Sequence, residues 1–222
     1  MKVLLCCVAI TACTTLKTLR PLSPEEQSHA LKACTEPFPG SAFRAIHKLS
    51  FTFSGNRYSS FIGVTVADQE QDRIRSALVS AEGVTVFDAV YQKGEITIHR
   101  WMLPGDAAVF GSGLFEDVRF IFLRPAGENP AIGLRQDGQV VCRFFSKDMT
   151  IEVVPSRGDT VYELKRTDLN GETIKTLHMQ GPFMHGFAKT MTLQSLRKPD
   201  YSLVLELLEE EPLLVSDDVF SR

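Results

Sequence analysis

The stretches KLSFTF (48–53), YSSFIGVTVA (58–67), RIRSALVSA (73–81), VTVFDAVY (84–91) and EITIHRW (95–101) decide the fold. Each is short and rich in β-branched or aromatic residues, and Gly55-Asn56, Glu82-Gly83 and Lys93-Gly94 supply turns between them. Lys48 to Phe53 alternates strictly, so Leu49, Phe51 and Phe53 share one face. Phe61 with Val64 and Val66, Ile74 with Leu78-Val79, Val84 with Val86-Phe87, and Ile96 with Ile98 carry the apolar content onward. This spacing predicts consecutive antiparallel hairpins with one buried face.

From Gly105 the period changes. Phe110, Leu114, Val118 and Ile121 recur at spacings of four, four and three, the stripe of an amphipathic helix behind Pro104. Gly111 and Gly113 each weaken that helix by about 1 kcal/mol relative to alanine. Strands resume after the Pro125–Pro130 loop. Ile132 to Arg135 and Gln139 to Phe145 flank Asp137-Gly138, Thr150 to Val154 follows, and Thr160 to Thr167 and Glu172 to Met179 flank Asn170-Gly171. Both dipeptides are strong hairpin signals. Lys189 to Leu196 and Tyr201 to Leu208 complete a set counted as ten or eleven short strands. On the N-terminal side, Ser23-Pro24-Glu25-Glu26 has a hydroxyl cap, proline in the first turn and carboxylates beside the helix N-terminus. That helix should run to about Cys34 and stop at Pro37, Pro39 and Gly40. The expected class is therefore mainly β with helices (α+β).

The composition is that of a globular chain: 222 residues, 44% hydrophobic, 23% charged, formal net charge −3. This excludes a disordered chain, a collagen-like fibre and a polytopic membrane protein. A pI near 6.0 offers no positive field for phosphates, so nucleic acid is not an expected partner.

The first twelve residues read as an export signal. Lys2 precedes the apolar run Val3 to Ile10, far shorter than the ~18–20 residues of a spanning helix. Ile10-Thr11-Ala12-Cys13 looks like a bacterial lipobox, whose cysteine thiolate takes the diacylglyceryl group and whose small residues admit the peptidase. Residues 1–12 are then a signal peptide, 13–22 a tether and 23–208 the folded domain. An acidic tail, expected to be loose, follows over 209–222. Cys13 is the lipidation site of a palmitate-bearing lipoprotein, and Thr14 after it points to the outer membrane. Cys34 and Cys142 are left either as a disulfide of an oxidising periplasm or as two buried thiols.

No group stands out for catalysis. Ser112 lacks a G-x-S-x-G frame. Glu116 and Asp117 are adjacent on the central helix, diverge around it, and read as a solvated face. The stretch His178 to Phe187, with two His and two Met, reads as an apolar hairpin tip rather than a metal site. No metal, no cofactor and no enzymatic activity are expected.

Lipobox, helix, long meander, central helix and further hairpins together resemble LolB and its soluble relative LolA, over about Ser23 to Leu208. The resemblance implies an antiparallel eleven-strand half-barrel, lidded by an N-terminal and a central helix, whose concave face binds acyl chains. The cavity would be lined by Phe51, Phe61, Val86 and Trp101 from the sheet and by Phe110, Leu114 and Val118 from the helix. It implies a monomer facing the periplasm of a Gram-negative bacterium, anchored to the outer membrane and handling lipid or lipidated protein. A protein-interaction module with a filled core and no ligand is the alternative. One departure is evident: where LolB exposes an apolar loop between early strands, Asp68-Gln69-Glu70-Gln71-Asp72 is wholly polar.

Overall fold

The structure is a computed structural model and describes residues 18–53, 56–125, 130–156 and 161–213. The signal, the lipobox and Cys13 lie outside the described residues. Twelve strands form one antiparallel sheet: β1 (Phe43–Phe53), β2 (Asn56–Asp68), β3 (Arg73–Val79), β4 (Thr85–Gln92), β5 (Glu95–Trp101), β6 (Ala131–Leu134), β7 (Val140–Phe145), β8 (Met149–Pro155), β9 (Val161–Asp168), β10 (Thr173–Met184), β11 (Phe187–Ser195) and β12 (Tyr201–Pro212). Their spatial order is β5-β4-β3-β2-β1-β12-β11-β10-β9-β8-β7-β6. Two meanders thus unroll in opposite directions from the β1–β12 pair, and the sheet stays open, with edges at β5 and β6. The expected eleven strands are corrected to twelve. The four-residue edge strand β6 is the one that a count by pattern most easily loses.

Two helices cover the concave face. α1 (Pro24–Thr35) starts at a capping box: Glu26 N–H donates to Ser23 Oγ, and Ser23 N–H donates to the Glu26 carboxylate at 2.8 Å. It packs on β6, β7 and β8, and Cys34 is joined to Cys142 of β7 by a disulfide with Cα atoms 6.2 Å apart. α2 (Ala107–Phe122) begins at Asp106, whose carboxylate accepts from Ala108 N–H and Val109 N–H. Gly111 faces β5: a Cβ there would sit 3.5 Å from Ile98 Cδ1 and 3.7 Å from Ile96 Cγ2, so the glycine lets the helix approach the sheet closely.

Strand ends differ from the pattern. β1 begins at Phe43, because Ala45 and His47 continue its buried face without looking apolar in sequence. β12 runs to Pro212, so Glu209, Glu210 and Glu211, expected in the loose tail, pair with Ile46, Ala45 and Arg44. Arg44 binds two of these carboxylates, Glu209 at 2.7 Å and Glu211 at 3.0 Å. The turn of the His178–Phe187 stretch places His185 at φ +47 and Gly186 at φ +88, the signs a primed hairpin turn needs. His185 Nδ1 meets Glu210 at 2.7 Å, and Phe183 packs edge-on against Tyr162. That tip is pinned to the sheet and to the loop after α1, where Gly186 abuts the Phe38 carbonyl.

Candidate functional site

Antiparallel register decides which side chains share the concave face, since directly paired residues point the same way. One row runs Leu164–Leu177–Leu193–Leu203–Phe51 across β9, β10, β11, β12 and β1. The next, two residues along each strand, runs Tyr162–Met179–Met191–Leu205–Leu49. In the first meander Leu78, Phe87 and Trp101 form a comparable row, as do Ile74, Tyr91 and Ile96. The result is a broad apolar trough, and α2 fills it.

The N-terminal half of α2 sits in an aromatic cluster. Phe110 lies 5.2 Å from Phe87 and 5.1 Å from Trp101, ring centre to ring centre. Further along, Phe115 packs on Tyr91 and Phe122 on Phe43, His47 and Phe187. Of the sheet residues expected to line a cavity, Trp101 joins this cluster. Phe61 and Val86 pack half-buried against the core. In β4, Phe87 beside Val86 takes the place opposite Leu78 and Trp101. Phe51 lies elsewhere, stacked on Tyr201 at 5.5 Å. Leu114 and Val118 border the space that remains, a cavity of about 30 Å³ between α2 and the sheet. That is roughly the volume a single water occupies in the liquid.

Polar residues hold the helix in the trough. Asp117 is 6% exposed. Its carboxylate accepts from Lys175 Nζ at 2.6 Å and from Tyr201 Oη at 2.5 Å. Glu116, 43% exposed at the side chain, bridges to Arg166 and stands 3.6 Å from Lys175. The expected solvated carboxylate face is thereby corrected. The two carboxylates do diverge, but long cationic side chains on two adjacent strands reach both. Burial pushes the Asp117 carboxyl above its ordinary range, and Lys175 beside it pulls back. Burial, with the Asp117 charge and hydrogen bond, also drives the Tyr201 phenol upward. At its C-terminal end α2 is clasped by the polar 68–72 loop. The Gln69 side-chain amide donates to Arg124 O at 2.9 Å and accepts from Arg124 N–H at 3.1 Å. Asp72 takes Arg119 at 2.5 Å and the Tyr91 hydroxyl at 3.0 Å.

The signal for Asp117 was present. It falls three residues after Leu114 and four before Ile121, on the apolar stripe itself. Lys175 likewise alternates with Leu177 and Met179, and Arg166 with Leu164. His47 is also buried, 2% exposed, with Nε2 lacking a hydrogen-bond partner, and it borders the small cavity together with Thr65, Ser76 and Asp117. Burial lowers its pKa from 6.5 to about 4. Its share of stability is whole above pH 6.5 and lost as pH falls toward 4, by about 3 kcal/mol in all. Denaturant melts of wild type and His47→Leu should diverge across that window, with the variant flatter. Parallel losses would contradict the burial of this imidazole.

Among the described residues no helix is long and apolar enough to cross a membrane, and no group of three or more His, Cys, Asp or Glu is placed to hold a metal. A larger cleft of about 740 Å³ opens outside the trough, between α1 and the β6–β7 hairpin, lined by Arg20, Glu25, His29 and Gln139 among others.

No protein-family model matches the sequence, and neither does any curated protein. Solved structures do match the fold. A DUF1329 family protein from Desulfovibrio piger superposes with a TM-score of 0.52 at 12% identity, over 90% of this chain and 98% of that one. A LolA superfamily protein from Nitrosomonas europaea gives a TM-score of 0.59 at 10% identity, over 88% of this chain and 97% of that one. An open antiparallel sheet with helices seated in its concave face is thus what the chain shares with a LolA superfamily protein, and its fold is LolA-like.

Proposed function

We propose that the chain is a non-enzymatic binder or carrier of acyl chains, anchored by Cys13 to the outer membrane on its periplasmic side, with the trough as its site and α2 as its lid. The observation that carries this reading is the make-up of the contact under α2. The trough presents contiguous leucine, methionine and aromatic rows, while the helix over it is fastened by ionic and amide contacts at its middle and its C-terminal end. Buried ion pairs add little net stability because desolvation offsets their attraction. A helix held this way can be displaced at modest cost. A twelve-carbon chain taking its place gains about 10 kcal/mol from burial, at about 0.8 kcal/mol per methylene. Leu169 and Leu196, 75% and 54% exposed in neighbouring turns at one end of the trough, give that end an apolar lip. The LolA-like fold agrees with lipid handling.

The size of the cavity favours a second reading. With α2 seated, about 30 Å³ admits no acyl chain, which suits an interaction module with a filled core. Leu114→Trp separates the two. It overpacks the space beneath the lid and should cost about 1–3 kcal/mol. If the lid competes with ligand, loosening it raises the occupancy of acyl species seen by native mass spectrometry. Destabilisation with a ligand-free mass at every load supports the filled module instead. The anchor has its own test: Cys13→Ser should abolish processing and detergent partitioning in a Gram-negative host, and an unchanged variant removes the lipoprotein reading.

A further inference from the structure

The row next to Leu164–Leu177–Leu193–Leu203 is not apolar. It runs Arg166–Lys175–Ser195–Tyr201 across β9, β10, β11 and β12, in direct register. It lies where these strands meet their turns, at the end of the trough carrying Leu169 and Leu196. Lys175 and Arg166 are both more than nine-tenths buried, and Arg166 Nε has no hydrogen-bond partner. The anions these groups hold come from the lid: Asp117 on Lys175 and Tyr201, Glu116 on Arg166.

We infer that Arg166, Lys175 and Tyr201 form a head-group site for an anionic amphiphile, which Glu116 and Asp117 of α2 occupy in the closed state. The inference rests on the acyl-binding reading and names the class of ligand: an alkyl chain ending in a carboxylate or a phosphate. When α2 leaves the trough it takes both carboxylates with it. Two cations and a phenol hydroxyl then remain at the rim of an apolar surface. Leaving them bare is costly, because an unpaired buried charge loses its hydration with nothing in return. A neutral ligand would restore the apolar contacts but leave that cost standing. An anionic head at the cationic row, with its chain laid along the leucine and methionine rows, replaces both halves of what the lid supplied. Arg166 suits the role because its planar fork can meet a carboxylate or phosphate through two parallel hydrogen bonds. Tyr201 adds a neutral donor on the far side of Lys175.

The test is calorimetric titration of the mature chain from residue 13, carrying Cys13→Ser to keep it in solution, with laurate, dodecyl phosphate and dodecanol. The two anions should bind at least tenfold more tightly than the alcohol, and which of them binds better tells carboxylate from phosphate recognition. Arg166→Gln should narrow that preference to within threefold and leave dodecanol affinity unchanged. Asp117→Asn removes a competing carboxylate and should widen the preference severalfold. Should Arg166→Gln not fold, an unaltered preference in Asp117→Asn decides against the site. Equal binding of all three amphiphiles, or a uniform loss in Arg166→Gln, overturns the head-group site and leaves acyl binding intact. Binding of none of them overturns acyl binding as well.

Discussion

Lys175→Met should lower stability by about 3–5 kcal/mol, the usual cost of stranding one partner of a buried ion pair. Asp117 would keep only the Tyr201 hydroxyl as a donor in an apolar setting, and the carboxylate has no route to solvent while α2 stays seated. The loss belongs to the stranded charge more than to the pair. Asp117→Leu combined with Lys175→Met should therefore recover most of it, and can exceed wild type if the leucine packs well. Urea melts with unchanged m-values check both variants. A single variant losing under 1 kcal/mol would show that Asp117 reaches water, and α2 would then be far more loosely seated than its contacts imply.

A comparable loss is expected from the disulfide. Cys34 and Cys142 are separated by 108 residues, and closing a loop of about 100 residues removes unfolded-chain entropy worth about 4.7 kcal/mol in the chain-entropy model. Measured costs of removing native disulfides run about 2–5 kcal/mol. The double serine variant should melt roughly 8–16 °C lower if about 4 kcal/mol is lost, given about 2–4 °C per kcal/mol at this chain length. The drop should match that of wild type under reducing conditions. A much smaller change would mean that α1 is held to β7 and β8 by packing alone.

Most of the fold can be read locally. Asp137-Gly138 and Asn170-Gly171 mark their hairpins because Gly138 and Gly171 adopt φ of +79 and +80, which glycine accepts without strain. The stripe Phe110, Leu114, Val118, Ile121 fixes α2, since nothing but a helix brings that spacing to one face. What cannot be read locally is which strands are neighbours across the sheet. The cationic row exists because β9, β10, β11 and β12 are in register at Arg166, Lys175, Ser195 and Tyr201, and no window of sequence spans that pairing. Asp117 was legible by position but not by type. A carboxylate on an apolar stripe has a meaning only once its partners, 58 and 84 residues away, are known. Pattern reading also loses strand ends built from alanine and histidine, as in β1, and charged ends such as Glu209 to Glu211 of β12.

The two margins of the open sheet are not alike. Along β6, the incoming segment is already seated: Arg20 exchanges both backbone hydrogen bonds with Leu134 at 2.9 Å, and its carbonyl lies where a Cβ on Gly133 would come within 2.6 Å. Along β5, no strand of the described residues lies beyond Glu95–Trp101. Growth of sheets from copy to copy needs two receptive margins per molecule, one to give and one to receive. With one sealed by its own leading segment, joining through the other can only be a symmetric handshake between like margins. Such an assembly terminates at a pair, so tethering many copies side by side on one surface gives them no route to a continuous filament.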